Sequence, residues 1–200
     1  METASANNEF QSVHDRFRPR VLRYLARLVG EAEAEDLTQS VMLKVSEGLP
    51  GFRGDSSVST WIYSIATNAA MDRLRRKTIQ TISETEFESD EGDAPAGPQA
   101  PSVEATAIRE EMSACIREFI ERLPDNYKAV MVLSELEGFK NDEIASILEL
   151  SLDTVKIRLH RARERLRKDL GLGCSFHRDE DGDLACDRKP TATITVRKRS

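Results

Sequence analysis

The stretch from Asn141 to Leu170, NDEIASILELSLDTVKIRLHRARERLRKDL, reads as two helices joined by a short turn, and its reading decides the fold. With successive residues about 100° apart, Val155, Leu159, Ala162, Leu166 and Leu170 share one face, the apolar stripe that a core-facing helix needs. Asp153, Thr154, Ile157, His160, Arg161, Glu164 and Lys168 lie roughly opposite, with Lys156 and Arg158 on the flanks. Ser151 is placed to cap this helix, and Asn141 to cap the shorter one, whose Ile144, Ile147 and Leu148 pack beneath it. Two helices meeting across a turn of about four residues suit a helix-turn-helix, whose second helix enters the DNA major groove. The competing reading is a surface helix with a solvated charged face.

Composition narrows the field. A chain of 200 residues, 39% hydrophobic and 32% charged, can build one or two small globular domains and is too polar for a membrane protein. No apolar run approaches the roughly 20 residues of a transmembrane helix, and Met1 to Glu9 lacks the basic start and apolar core of a signal peptide. A cytoplasmic location without membrane insertion is therefore expected. The formal net charge of −6 argues against a nucleic-acid partner only until its distribution is considered. Acidic residues crowd Ile79 to Ala105, whereas Arg73 to Lys77 and Lys156 to Lys168 are basic blocks, and local fields are what attract phosphate. Three cysteines, Cys115, Cys174 and Cys186, are too few and too uneven for a secreted disulfide framework.

Along the chain, residues 1–9 read as a disordered N-terminus. From Phe10 to Val29, Phe10, Val13, Phe17, Val21, Tyr24, Leu25 and Leu28 recur at three and four, and Gly30 closes an amphipathic helix. A second helix, about Ala32 to Glu47, sets Leu37, Val41 and Val45 on one side and turns Met42 and Leu43 away. That pattern fits either a core plus a partner or simple burial in a bundle. Leu49-Pro50-Gly51 breaks the helix, a loop through Phe52 and Arg53 follows, and Ser59 can cap a third helix from Thr60 to about Lys77. Its last turn carries Arg73, Arg75, Arg76 and Lys77, which suit a helix C-terminus as well as a phosphate backbone. Residues 78–105, acidic and rich in proline and glycine, read as a flexible linker. Helix resumes from about Val103 to Arg122, stops at Leu123-Pro124 and restarts at Asp125 or Asn126, running to Leu136. The expected fold is all-α, two helical domains (10–77 and 106–170) with a small tail (171–200).

Together these segments resemble a known family. Residues 36–77, DLTQSVMLKVSEGLPGFRGDSSVSTWIYSIATNAAMDRLRRK, look like domain 2 of the bacterial extracytoplasmic-function sigma factors, a branch of the sigma-70 family. Residues 122–168, RLPDNYKAVMVLSELEGFKNDEIASILELSLDTVKIRLHRARERLRK, look like domain 4. Two motifs in the right order are far more specific than a lone helix-turn-helix. The resemblance implies a non-enzymatic subunit that binds core RNA polymerase and promoter DNA and needs no cofactor. Domain 2 opens the minus-ten element and domain 4 holds the minus-thirty-five element.

Carried over by position, Phe52 and Arg53 with Asn68 match the family's pocket for an extruded base, which needs a flat wall and a polar group. Trp61 is expected to pack the domain instead. Leu37, Gln39, Met42 and Leu43 fall on the helix that grips the polymerase clamp helices, and domain 4 is expected to meet the flap tip. Lys156, Ile157, His160 and Arg161 match the groove-facing positions. Thr154 and Arg158, with Arg73 and Arg76 in domain 2, suit phosphates. An anti-sigma factor is a further candidate partner. The chain departs from the pattern at Ser40, where Glu is usual, and at Lys140, which shifts the expected cap to Asn141. Glu149 stands at a turn position often held by glycine, and Ile157 replaces a small polar residue.

The family pattern ends near Leu170, but the chain continues as GLGCSFHRDEDGDLACDRKPTATITVRKRS. Asp181-Gly182 is a turn signal with alternating residues on both sides, which predicts a small hairpin. Cys174 and Cys186 would lie on its two arms with His177 nearby, a set that suits zinc or copper once a fourth ligand is found. A reversible disulfide and two incidental thiols are the alternatives. The tail resembles cysteine-bearing extensions that regulate some sigma factors of this class, and the expectation is that it senses a metal or an oxidant. Two rival classes are a helix-turn-helix regulator acting without polymerase, for which no dimer segment is evident, and an enzyme, for which His14, His160 and His177 are too scattered.

Overall fold

The structure, a computed structural model, describes residues 2–84, 116–178 and 184–189. The first unit consists of α1 (Glu2–Val29), α2 (Glu31–Gly48), a 3-10 turn (Leu49–Gly51) and α3 (Val58–Glu84). Phe17, Val21, Tyr24, Leu25 and Leu28 line the inner face of α1 at the spacing the sequence predicts. They meet Ala34, Val41, Met42 and Val45 of α2 and Ile62, Tyr63, Ala66 and Ala70 of α3. The buried hydroxyls are satisfied in a chain. Tyr24 shares a 2.7 Å hydrogen bond with Thr67, whose Oγ1 lies 2.6 Å from the Tyr63 carbonyl it donates to.

Helix ends differ from expectation. The helix reaches back to Glu2, so residues 2–9 are helical and not disordered; i to i+4 hydrogen bonds are local, and no proline or glycine interrupts them there. Ser57, not Ser59, caps α3: its Oγ accepts from the Thr60 N–H at 3.0 Å. The third helix also continues past Lys77 to Glu84, taking residues 78–84 from the predicted linker, because TIQTISE contains no helix breaker. The rest of that linker, the start of the next predicted helix and Cys115 lie outside the described residues, as do Asp181-Gly182 and the chain beyond Lys189.

The second unit opens with the end of a helix, α4 (residues 116–121), followed by α5 (Asp125–Met131). The Pro124 carbonyl accepts from the N–H groups of Tyr127 and Lys128, each at 2.8 Å, which starts α5 where proline tolerates it. The predicted run to Leu136 is helical, but Val132–Leu136 widens into a π turn, closed by the Glu137 N–H on the Val132 carbonyl at 3.0 Å. Next come α6 (Asn141–Leu148) and α7 (Leu152–Gly173), the predicted helix-turn-helix. Lys140 rather than Asn141 is the cap residue of α6, with the Glu143 carboxylate accepting from the Lys140 N–H at 2.9 Å. Glu149 takes the left-handed conformation itself, φ 52°, so the turn keeps its shape without glycine.

The tail forms the predicted hairpin. Strands β1 (Cys174–Arg178) and β2 (Leu184–Arg188) pair antiparallel, with Cys174 opposite Arg188 and Phe176 opposite Cys186. Gly173, at the end of α7, lies against Phe119, where a β-carbon would come within 2.6 Å of the ring. Among the described residues no helix is long and apolar enough to cross a membrane.

The two units share one continuous cluster of buried side chains, with α3 packed against α6. Tyr63 meets Phe139 edge-on, ring centroids 4.8 Å apart. Beside them the Glu137 side chain, 7% exposed, accepts from the Tyr63 hydroxyl at 2.5 Å and from Arg27 at 3.1 Å, with Arg20 3.8 Å away. Burial, and then donation to this carboxylate, push the Tyr63 phenol above its ordinary value.

Two outcomes are expected. A left-handed non-glycine residue costs about 1–2 kcal/mol and glycine's greater unfolded-state entropy about 0.5–1, so Glu149→Gly should stabilise the protein by roughly 0.5–1 kcal/mol in denaturant titration. Because the Tyr63 phenol ionises later in the folded than in the unfolded chain, its stabilisation is complete below about pH 10 and fades as pH rises beyond it. Melts above pH 10 should show that decline, and a shallower one in Tyr63→Phe.

Candidate nucleic-acid interface

The outer face of α7 is set by its inner one. Val155, Leu159 and Ala162 are buried, so residues about 180° away must face solvent, and Lys156, Ile157, His160 and Arg161 do. Ile157 is 51% exposed, an apolar group presented in the middle of a basic surface. Thr154 and Arg158 are half-buried at its edges. Thr154 has a local task as well: its N–H donates to the Ser151 Oγ at 3.2 Å and the two hydroxyls lie 2.7 Å apart, which fixes the first turn of the helix.

Asn141, expected only as a helix cap, lines one cleft with Lys156, His160 and two arginines not among the expected DNA contacts, Arg163 and Arg167. The spacing 156, 160, 163, 167 was the available signal, since it places four cationic or ionisable groups in a single row along α7. Arg163 also reaches the Glu135 carboxylate at 2.6 Å, tying the row to the π turn.

In the first unit Phe52 leans on Trp61, centroids 5.1 Å apart and planes 33° apart, a flat apolar platform beside the exposed Arg53. Trp61 packs as expected, against Gly48, where a β-carbon would lie 2.8 Å from the indole. Asn68 is exposed on α3, as is Arg76. Arg73 is engaged instead: its Nε donates to Glu33 at 2.6 Å, and that contact holds the Glu33 carboxyl below its usual range. Arg73 thus ties the middle of α3 to the start of α2.

On α2, Gln39 and Leu43 are exposed, Leu43 at 60%, and Leu37 is half-buried. Met42 departs from expectation, at 5% exposure inside the core. Ala34, Thr38, Val41, Met42 and Val45 form one stripe wide enough to include it, and Thr38 enters that stripe by donating to the Ala34 carbonyl at 2.6 Å. The apolar contact surface of α2 therefore reduces to Leu43 with Leu37 at its margin.

The hairpin separates the proposed metal ligands. Strand alternation sets Cys174 and Cys186 on the face shared with Phe176, and His177 on the other, where its Nδ1 is 3.5 Å from Asp187. Cys174 is 2% exposed, and among the described residues no three His, Cys, Asp or Glu side chains gather as a metal group. The two cysteines sit diagonally rather than opposite, and no disulfide joins them.

Comparisons with known proteins cover both helical units. Residues 13–79 match the family model for sigma-70 region 2, and residues 113–166 that for sigma-70 region 4, leaving the hairpin outside both. The RNA polymerase sigma-H factor of Pseudomonas aeruginosa is 33% identical over 160 residues, 78% of this chain and 82% of that protein. The ECF RNA polymerase sigma factor SigW of Bacillus subtilis is 33% identical over 167 residues, 80% of this chain and 88% of that one. Among solved structures, the sigma factor RpoE in complex with the anti-sigma factor NepR from Bartonella quintana superposes with a TM-score of 0.64. At 20% identity, over 80% of this chain and 95% of that one, it is a likeness of fold. CnrH in complex with the cytosolic domain of CnrY gives 0.58 at 24% identity, over 84% and 94%.

The platform can be tested through its floor. In Gly48→Ala the helix gains about 1 kcal/mol of propensity and loses about 1–3 to the clash with Trp61. The expected signature is a shift in emission of this single tryptophan, with stability lowered by no more than about 2 kcal/mol.

Proposed function

The chain belongs to the extracytoplasmic-function sigma factors of the sigma-70 family, and on that premise we propose how its residues divide the work. It binds core RNA polymerase, recognises the minus-thirty-five and minus-ten promoter elements and initiates transcription. Its part is binding, with catalysis left to the polymerase. The observation that carries the assignment of roles is the outer face of α7, where Lys156, Ile157, His160 and Arg161 are exposed together behind a fully packed inner face.

In domain 4 these four side chains read the minus-thirty-five duplex. An arginine can bridge guanine O6 and N7, and Ile157 offers a methyl-sized surface to thymine. Arg163 and Arg167 extend the row toward the phosphates, with Arg158 and the Ser151-Thr154 turn at its edge. In domain 2 Phe52, backed by Trp61, receives with Arg53 and Asn68 a base drawn out of the minus-ten element. Leu43, Gln39 and Leu37 on α2 meet the polymerase clamp. An anti-sigma partner and a cytoplasmic site of action follow from the same reading, the former supported by the anti-sigma factor NepR bound in the similar RpoE structure.

Run-off transcription with purified core polymerase tests the whole: a promoter-specific product is expected only when both are present, and its absence would reject the sigma reading. Within that assay Arg161→Ala should weaken binding of the matching promoter by about 1–3 kcal/mol if the side chain reads a base. Asn68→Ala should spare binding to the minus-thirty-five duplex and lower the yield of open complex.

A further inference from the structure

The register of the hairpin sets the distance between its two cysteines. The Lys189 N–H donates to the Gly173 carbonyl at 3.0 Å, and the rungs alternate from there. Cys174–Arg188 and Phe176–Cys186 are therefore both non-hydrogen-bonded rungs, the kind whose side chains approach most closely. Cys174 and Cys186 share a face on adjacent strands as diagonal neighbours, with β-carbons somewhat less than about 7–8 Å apart. A disulfide needs β-carbons about 3.5–4.5 Å apart. A cation held at roughly 2.3 Å from each of two thiolates parts the sulfurs by about 4.6 Å, against about 2.05 Å in a disulfide, which widens the matching β-carbon span to roughly 6 Å. The diagonal fits the second link and not the first.

The rest of the hairpin decides what kind of cation the pair takes. His177 is on the opposite face, its Nδ1 3.5 Å from Asp187, and among the described residues no third His, Cys, Asp or Glu joins the two sulfurs. A closed zinc site takes four ligands, and calcium and magnesium take oxygen. Two soft thiolates without other donors suit a soft monovalent cation, Cu(I), whose filled d shell is satisfied by two collinear ligands. Cys174 is 2% exposed and Cys186 half-buried, so an ion between them is shielded from water. Two thiolates and one Cu(I) leave a single negative charge, and Arg178 and Arg188, the latter held by Glu118, put positive charge on the same face.

We propose that Cys174 and Cys186 form a two-thiolate Cu(I) site that staples the two strands of the hairpin where it joins domain 4. On binding, two S–H bonds break, two Cu–S bonds form and two protons pass to water. The copper enters as Cu(I), so no electron changes hands. Cys174 follows Gly173, which lies against Phe119, and Cys186 stands two residues before Arg188, which pairs with Glu118 at 2.6 Å. A bridge between the sulfurs joins these two anchors across the strands. It also fixes Phe176, opposite Cys186, as a wall of the apolar groove bounded by Ile120, Met131 and Leu166. A two-stranded hairpin is marginal by itself, so one cross-link between its strands changes its stability more than it would in a larger sheet. The site depends on the register of this hairpin alone and not on the sigma reading.

The test uses the full-length chain carrying Cys115→Ser, which leaves only the two hairpin thiols, kept reduced and free of oxygen. Titrated with Cu(I) held by the chromophoric chelator bathocuproine disulfonate, this protein should withdraw one copper per chain. X-ray absorption at the copper edge should show two sulfur neighbours and no nitrogen. Adding Cys174→Ser or Cys186→Ser should abolish the uptake, whereas adding His177→Ala should leave it unchanged. Hydrogen exchange of the hairpin amides should slow on Cu(I) loading in the parent and in neither serine variant. Cys186 is the less buried of the two, so its variant decides the matter should Cys174→Ser disturb folding, with helical content as the check. No uptake by the Cys115→Ser protein, uptake that survives Cys186→Ser, uptake lost in His177→Ala, or Zn(II) taken from a chromophoric indicator as tightly as Cu(I) would each overturn the site.

Discussion

A carboxylate taken out of water must be surrounded by donors, and Glu137 is surrounded by Tyr63, Arg27 and Arg20. Each of those donors is delivered by a different constraint. Tyr63 sits in the core of the first unit beneath Tyr24, rings 5.0 Å apart. The arginines lie on the flank of α1 left over once Phe17, Val21, Tyr24 and Leu28 have turned inward. The acid reaches them because the π turn at Val132–Leu136 shifts the helix by a residue before Gly138, at φ 75°, releases the chain. Removing any one of these leaves a buried charge short of a partner, which is more damaging than the pair's net contribution would suggest.

The same economy governs the reading helix. Nothing holds Ile157, His160 and Arg161 outward except the completeness of the packing behind them. The short turn before α7 achieves that packing by accepting Glu149 in a conformation that glycine would adopt more cheaply. On α2 the packing demand runs the other way. Met42 is drawn inward, so the surface left for a partner is narrower than periodicity alone implies, and Leu43 stands out at its centre.

The hairpin is bound to domain 4 more firmly than a loose appendage would be. The Lys189 N–H donates to the Gly173 carbonyl at 3.0 Å, Arg188 pairs with Glu118 at 2.6 Å, and Cys174 closes over the junction of α7 and β1. Phe176 extends an apolar groove formed by Ile116, Ile120, Met131, Leu166 and Leu170.

What the sequence by itself determined was everything that depends on periodicity and on local stops. The helices, the breaks at Gly30, Leu49-Pro50 and Pro124, the helix-turn-helix with its Ser151 cap, the exposed face of α7 and the hairpin were legible because each follows from the spacing of apolar residues and from backbone chemistry a few residues wide. Helix ends were less legible, since Ser57 and Ser59, or Lys140 and Asn141, compete on nearly equal terms until the turn geometry is known. Only the tertiary structure decided the remainder. The engagement of Arg73 by Glu33, the burial of Met42, the parting of His177 from the cysteines and the convergence of Glu137 with α1 and α3 all depend on how helices and strands face one another. Those relations join residues up to 110 positions apart, a distance across which no local pattern in the chain carries information.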